Sequence, residues 1–102
     1  MQAFSKHSGS LRKAITQNLE NGGHELLYVK EGKTDRSPGW AKIKARGVRG
    51  IINIEWDADQ RMLTARAIAE KGNYPHEVLG IFVGYLVQKH RKRVTAINMQ
   101  LV

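Results

Sequence analysis

The chain has 102 residues, 41% of them hydrophobic and 25% charged, and its 17 Lys/Arg against nine Asp/Glu give a net charge of +8 at neutral pH. That length suits a single domain, residues 1–102, with a modest core and little room for a large cofactor cleft. With no cysteine in the chain, disulfides, thiolate metal sites and a Cys nucleophile are excluded.

The charge is uneven. Residues 1–50 hold ten Lys/Arg against four acids, and residues 51–102 hold seven against five. A basic surplus of this kind points to a polyanionic partner, nucleic acid above all, with plain solubility as the bland alternative. No apolar core follows the N-terminal Met1-Gln-Ala-Phe-Ser-Lys-His7, as a signal peptide would require. The longest apolar run, around Val78–Val87, is about ten residues, half of a membrane span. The expectation is a cytoplasmic protein with no membrane contact.

Met1–His7 reads as a loose start. Ser8-Gly-Ser10 offers an N-cap, and Leu11–Glu20 follows as a helix, with Leu11, Ile15 and Leu19 on one stripe. Asn21-Gly22-Gly23 stops it, since glycine takes the left-handed conformation of a helix end at no steric cost. His24–Glu31 reads as a strand, Gly32–Gly39 as a loop and Trp40–Arg46 as a second strand. That strand alternates cleanly, with Ala41, Ile43 and Ala45 on one face and Trp40, Lys42, Lys44 and Arg46 on the other. Gly47-Val-Arg-Gly50 is expected to break the pattern.

Ile51–Trp56 and Arg61–Ala69 read as a hairpin around the turn Asp57-Ala-Asp-Gln60. The Ala-rich stretch Thr64–Glu70 is also compatible with a short helix by propensity. From Pro75 a long apolar helix follows, with Glu77 in its first turn and Lys89, His90, Arg91, Lys92 and Arg93 at its end, matching the helix dipole. Its apolar arc, with Val78, Leu79, Ile81, Phe82, Val83, Tyr85, Leu86 and Val87, exceeds the stripe a surface helix needs. Either the sheet curls around it or a second subunit covers the far side. Val94–Leu101 reads as a final strand. The order α-β-β-β-β-α-β specifies an α+β fold, a two-layer sandwich of an antiparallel sheet with the helices on one face.

No catalytic signature emerges. There is no Gly-x-Ser-x-Gly, no phosphate loop and no dinucleotide-binding fingerprint. The four histidines, His7, His24, His76 and His90, make no metal-binding pair on one helix. Asp57 and Asp59 suit turn chemistry better than a cation site, even with Glu55 two residues away. The expectation is a protein that is not an enzyme, with no catalytic residues, no cofactor and no metal.

The positive features are two basic clusters. Trp40, Lys42, Lys44 and Arg46 project from one strand at roughly 7 Å spacing, in step with phosphates on a single strand, and the ring of Trp40 suits base stacking. The alternative is a solvent-facing strand whose lysines block unwanted pairing. The second cluster is Lys89, Arg91, Lys92 and Arg93, which suits either a phosphate grip or the polar end of a core helix. The sequence thus predicts a small homodimeric binding protein for nucleic acid or another polyanion. Two other readings stay open: a structural or protein-interaction module, and a small-molecule binder with a pocket lined by Trp56, Phe82 and Tyr85.

Overall fold

In the computed structural model, residues 1–33, 39–68 and 75–99 are described. Six strands and two helices follow one another as β1 (Gln2–Ser5), α1 (Leu11–Glu20), β2 (Leu27–Lys33), β3 (Trp40–Ala45), β4 (Val48–Asp57), β5 (Met62–Ile68), α2 (Pro75–Lys89) and β6 (Val94–Asn98). The strands form one antiparallel sheet in the order β2-β3-β4-β5-β1-β6. This is the expected α+β architecture, with one strand more than the sequence pattern suggested.

The added strand is β1, in the stretch read as a loose start. It is an inner strand, paired with β5 through Ala3–Leu63 and with β6 through Ala3–Ile97. Four residues with only Ala3 and Ser5 buried carry too little alternation to announce a strand. Its backbone groups are satisfied on both sides by segments about 60 and 90 residues away, a long-range pairing that no local pattern records.

Boundaries also shift, and β2, expected at His24–Glu31, runs from Leu27 to Lys33. The expected break at Gly47–Gly50 is confined to a tight turn at Arg46–Gly47, and β4 starts at Val48, with Ala45 opposite Val48. Gly50 stands inside that strand at φ +113°, where a Cβ would lie 3.2 Å from Val78 Cγ1. Glycine is kept there by the close approach of α2 and by a backbone angle that other residues resist. The Thr64–Glu70 ambiguity resolves as strand up to Ile68, because pairing with β4 and β1 outweighs alanine's helix propensity. Ala69, Glu70, Arg36 and Leu101 lie outside the described residues.

Helix α1 begins as the sequence suggests. Ser10 caps it by accepting a hydrogen bond from the Lys13 N–H, and Gly22, at φ +79°, closes it with its N–H on the Leu19 carbonyl. Its buried side carries Leu11, Ile15 and Leu19. Helix α2 buries Val78, Phe82, Tyr85 and Leu86. These join Ala41, Ile43, Ala45, Ile52, Ile54, Trp56, Leu63, Ala65 and Ala3 in one core cluster. Full burial of each large apolar side chain contributes about 1.5–3 kcal/mol. The strand residues in that list are the even-spaced positions of the sequence pattern. Their alternates form an accessible face, and that face carries the residues of interest.

Candidate nucleic-acid interface

The sheet register fixes what lies beside what on the accessible face. Trp40 is opposite Glu55, Glu55 opposite Thr64, Thr64 opposite Gln2, and Gln2 opposite Asn98. This row crosses five strands. In the next row Lys42 is opposite Asn53 and Asn53 opposite Arg66. Trp40, Lys42 and Lys44 are half-buried, while Glu55 and Arg66 are exposed. The alternation expected for Trp40–Arg46 is therefore present through Ala45, with Arg46 just beyond the strand in the turn.

Two aromatic rings on this part of the sheet each carry a cation. Lys42 Nζ lies 5.5 Å from the centroid of Trp40, and the Arg46 guanidinium lies 5.8 Å from that of Tyr28. Contacts of this kind hold a cation against a ring by its quadrupole. Lys42 also pairs with Glu31 on β2 at 3.3 Å, and Arg46 Nη1 donates to the Glu25 carbonyl at 3.3 Å. Tyr28, directly opposite Lys44, is a residue the sequence pattern did not single out. Only the strand register places it beside the lysines.

The second cluster is built differently from its expected form. Helix α2 ends at Lys89, and residues 91–93 form a turn before β6 rather than a continuing helix. The reason is His90, which is only 8% exposed. Its Nε2 lies 2.8 Å from the Tyr85 hydroxyl, which donates to Asn18 Oδ1 at 2.7 Å. The hydroxyl has one proton, so with that proton on Asn18 the imidazole Nε2–H donates to Tyr85. Desolvation first, and the charge of Arg93 second, hold His90 below its ordinary range, while burial pushes Tyr85 up. His24 meets the same ring edge-on at 5.7 Å, and its Nδ1 accepts from the Leu26 and Leu27 N–H groups. This cluster stitches α1, α2 and the start of β2 together from inside. It turns the chain at His90 and leaves Arg91 and Lys92 exposed.

Arg93 bends back across the start of α1, its Nη2 donating to the Gly9 carbonyl at 2.7 Å. The structure therefore does not bring the two predicted clusters onto one strand face: β3 and β6 are separated by three strands of the sheet. Lys89 and Glu25 line one shallow depression with His24, and the Glu25 carbonyl receives Arg46. The Lys89 end of α2 thus approaches the Arg46 end of β3 around the start of β2.

The other candidate features resolve simply. Asp57 Oδ1 accepts the Gln60 N–H at 3.1 Å, as turn chemistry requires. Among the described residues no three His, Asp or Glu side chains converge as metal ligands would. A cavity of about 400 Å³ borders the β4–β5 hairpin, lined by Glu55, Trp56, Asp57, Ala58, Asp59, Met62 and Thr64. It shares Trp56 with the expected small-molecule pocket, but Phe82 and Tyr85 are packed in the core and do not line it. No helix among the described residues is long and apolar enough to cross a membrane. Comparison with protein-family models, with curated proteins and with solved structures gives no match to this chain.

Proposed function

We propose that this protein binds nucleic acid, or another polyanion of similar phosphate spacing, and carries out no chemistry on it. The observation that supports this most directly is the accessible face of β3: a tryptophan and two lysines at alternate positions, flanked by Tyr28 and Arg46, on a rigid sheet. A base stacking on Trp40 displaces Lys42 from the ring and frees its ammonium for the adjoining phosphate. Each such stack is worth ~1–3 kcal/mol and tolerates any base. Lys44, Arg46 and Arg66 extend the charge along and across the sheet, and Lys89, Arg91, Lys92 and Arg93 add a second basic region.

The same proposal includes a homodimer in a reducing, cytoplasmic setting. Val87, near the C-terminal end of α2, is 51% exposed, and Met99 after the edge strand β6 is 39% exposed. Both are apolar surfaces that a second copy would cover, and among the described residues β6 is an edge strand suited to pairing across a two-fold axis. These exposed residues, with Ile68 and Leu26, also favour the second reading, a protein-interaction module whose charge serves solubility alone.

Fluorescence anisotropy with labelled single-stranded and duplex DNA and RNA, at low and physiological salt, separates the two. Binding that weakens with salt and is weakened in K42A/K44A/R46A, with the fold intact by circular dichroism, supports the first. With five cations on duplex phosphates the log–log salt slope is about −4 to −5. No binding of any of the four at low salt sinks it. Light scattering on the purified protein decides the oligomeric state, and a monomer at high concentration removes the dimer.

A further inference from the structure

The loop between β1 and α1, residues 6–10, gathers positive charge from distant parts of the chain. Arg61, from the β4–β5 hairpin, donates through Nη1 to the Lys6 carbonyl at 3.2 Å. The Lys6 N–H donates to the Arg93 carbonyl at 3.1 Å, and Arg93 Nη2 reaches the Gly9 carbonyl. The Lys6 backbone is thus held between two arginine residues from segments about 55 and 87 positions away in sequence. Arg91 and Lys92 are exposed in the same turn as Arg93.

No carboxylate among the described residues forms an ion pair with this group, although Asp57 and Asp59 share the hairpin of Arg61. The first turn of α1 contains no acid and instead carries Arg12 and Lys13, although the positive end of a helix dipole favours carboxylates. Arg12 is 3% exposed, and its Nε and Nη1 have no hydrogen-bond partner among the described residues. Hydrogen bonds to carbonyls fix the direction of Arg61 and Arg93 without cancelling their charge.

Arg61 adds a separate sign. It has φ +50°, the one described non-glycine residue in the left-handed region. Glycine or asparagine fills such hairpin positions at lower cost. An arginine there keeps a guanidinium beside the loop against the local backbone preference.

We propose that this loop is a cradle for phosphoryl oxygens, formed by Lys6, Arg61 and Arg93 with Arg91 and Lys92 at its rim. It deepens the nucleic-acid proposal and rests on it for the source of the phosphate, but it uses none of the β3 residues. Phosphodiester groups of a bound strand and free polyphosphate share the recognised chemistry. Beyond the row containing Trp40 the strands β5 and β1 run on to Met62 and Phe4, so the cradle lies at the Trp40 end of the sheet. It stands roughly 14 Å to the side, three strand spacings from β3 to β1.

The test titrates inorganic tripolyphosphate by calorimetry and a labelled oligothymidylate by anisotropy into the full chain, into R61G, and into K42A/K44A/R46A. Glycine suits the left-handed position, so R61G keeps the fold. The expected result is a fivefold or greater loss of tripolyphosphate affinity in R61G with an unchanged melting temperature. Its oligonucleotide salt slope should also fall by about 0.7, one phosphate contact. The triple variant weakens the oligonucleotide and leaves tripolyphosphate alone. Arg61-dependent tripolyphosphate binding with no oligonucleotide binding keeps the cradle, assigns it to free polyphosphate and removes the nucleic-acid reading. Wild-type affinity of R61G for both probes, dependence of tripolyphosphate on the β3 residues, or no binding of either probe at low salt overturns the cradle.

Discussion

The protein holds its positive charge in two ways. On and beside β3, Lys42 is engaged by Glu31 and the Trp40 ring, and Arg46 by the Tyr28 ring as well as the Glu25 carbonyl. Around the β1–α1 loop they are engaged by backbone carbonyls, Arg61 on Lys6 and Arg93 on Gly9. A carboxylate cancels charge and a ring face tempers it, whereas a carbonyl only orients it. On the proposed reading, the strand recognises a base by stacking on Trp40, and its cations are partly offset until then. The loop offers charge oriented by carbonyls and paired with no carboxylate among the described residues. Two basic clusters of similar composition thus have different physical characters, and each can be broken alone.

The largest expected effect falls on the stacking surface. Trp40→Ala should weaken single-stranded nucleic-acid binding by ~1–3 kcal/mol with its salt slope unchanged, read by anisotropy across a salt series. An unchanged affinity would reduce Trp40 to a packing residue. Next comes the charge of the same strand. K42A/K44A/R46A should flatten the single-strand salt slope by about 2, at roughly 0.7 per lost phosphate contact. A slope equal to that of the wild type would move the phosphate contacts to the loop.

Acid should act on the loop side first. His90, the residue that turns the chain toward Arg93, is held below its ordinary range by burial and then by Arg93. The unfolded chain accordingly takes up this proton before the folded chain does. Stability is complete above about pH 6.5 and declines as pH falls through the folded value, then levels off once both states are protonated. The melting temperature should drop as pH falls below about 6.5, and H90Q should show a shallower drop. Parallel pH profiles of the two proteins would remove His90 as the cause.

The smallest effect sharpens the contrast itself. Glu31 and Lys42 form an exposed pair, with side chains 52% and 36% accessible, so E31Q should change stability by less than ~1 kcal/mol. It should tighten nucleic-acid binding a few-fold at low salt by releasing Lys42. Weaker binding in E31Q would mean that Glu31 positions the lysine rather than restraining it.

Much of this was legible in the residues. The alternation of Ala41, Ile43 and Ala45 against Trp40, Lys42 and Lys44 follows from the two-residue period of a strand, and burial of one face enforces it. Ser10 and Gly22 bound α1 because capping chemistry is local. The β4–β5 hairpin was readable for the same reason. The aromatic and basic strand was therefore visible as a unit before any fold was known. Tyr28 was not, because its place beside Lys44 depends on a register shifted by a bulge between Val29 and Glu31.

What the sequence determined, then, is whatever depends on neighbours in the chain: element types, strand faces, helix ends and the excess of positive charge. Tertiary structure decided the rest. It made Gln2–Ser5 an inner strand, since backbone hydrogen bonds to β5 and β6 supply what its short, weakly patterned sequence lacks. It ended α2 at Lys89, where burial of His90 against Tyr85 outweighs helix continuation through a run of basic residues. It also set Lys6 between Arg61 and Arg93. Like charges repel and nothing in the local sequence draws them together, so only the closure of the sheet around β1 holds those three residues at one place.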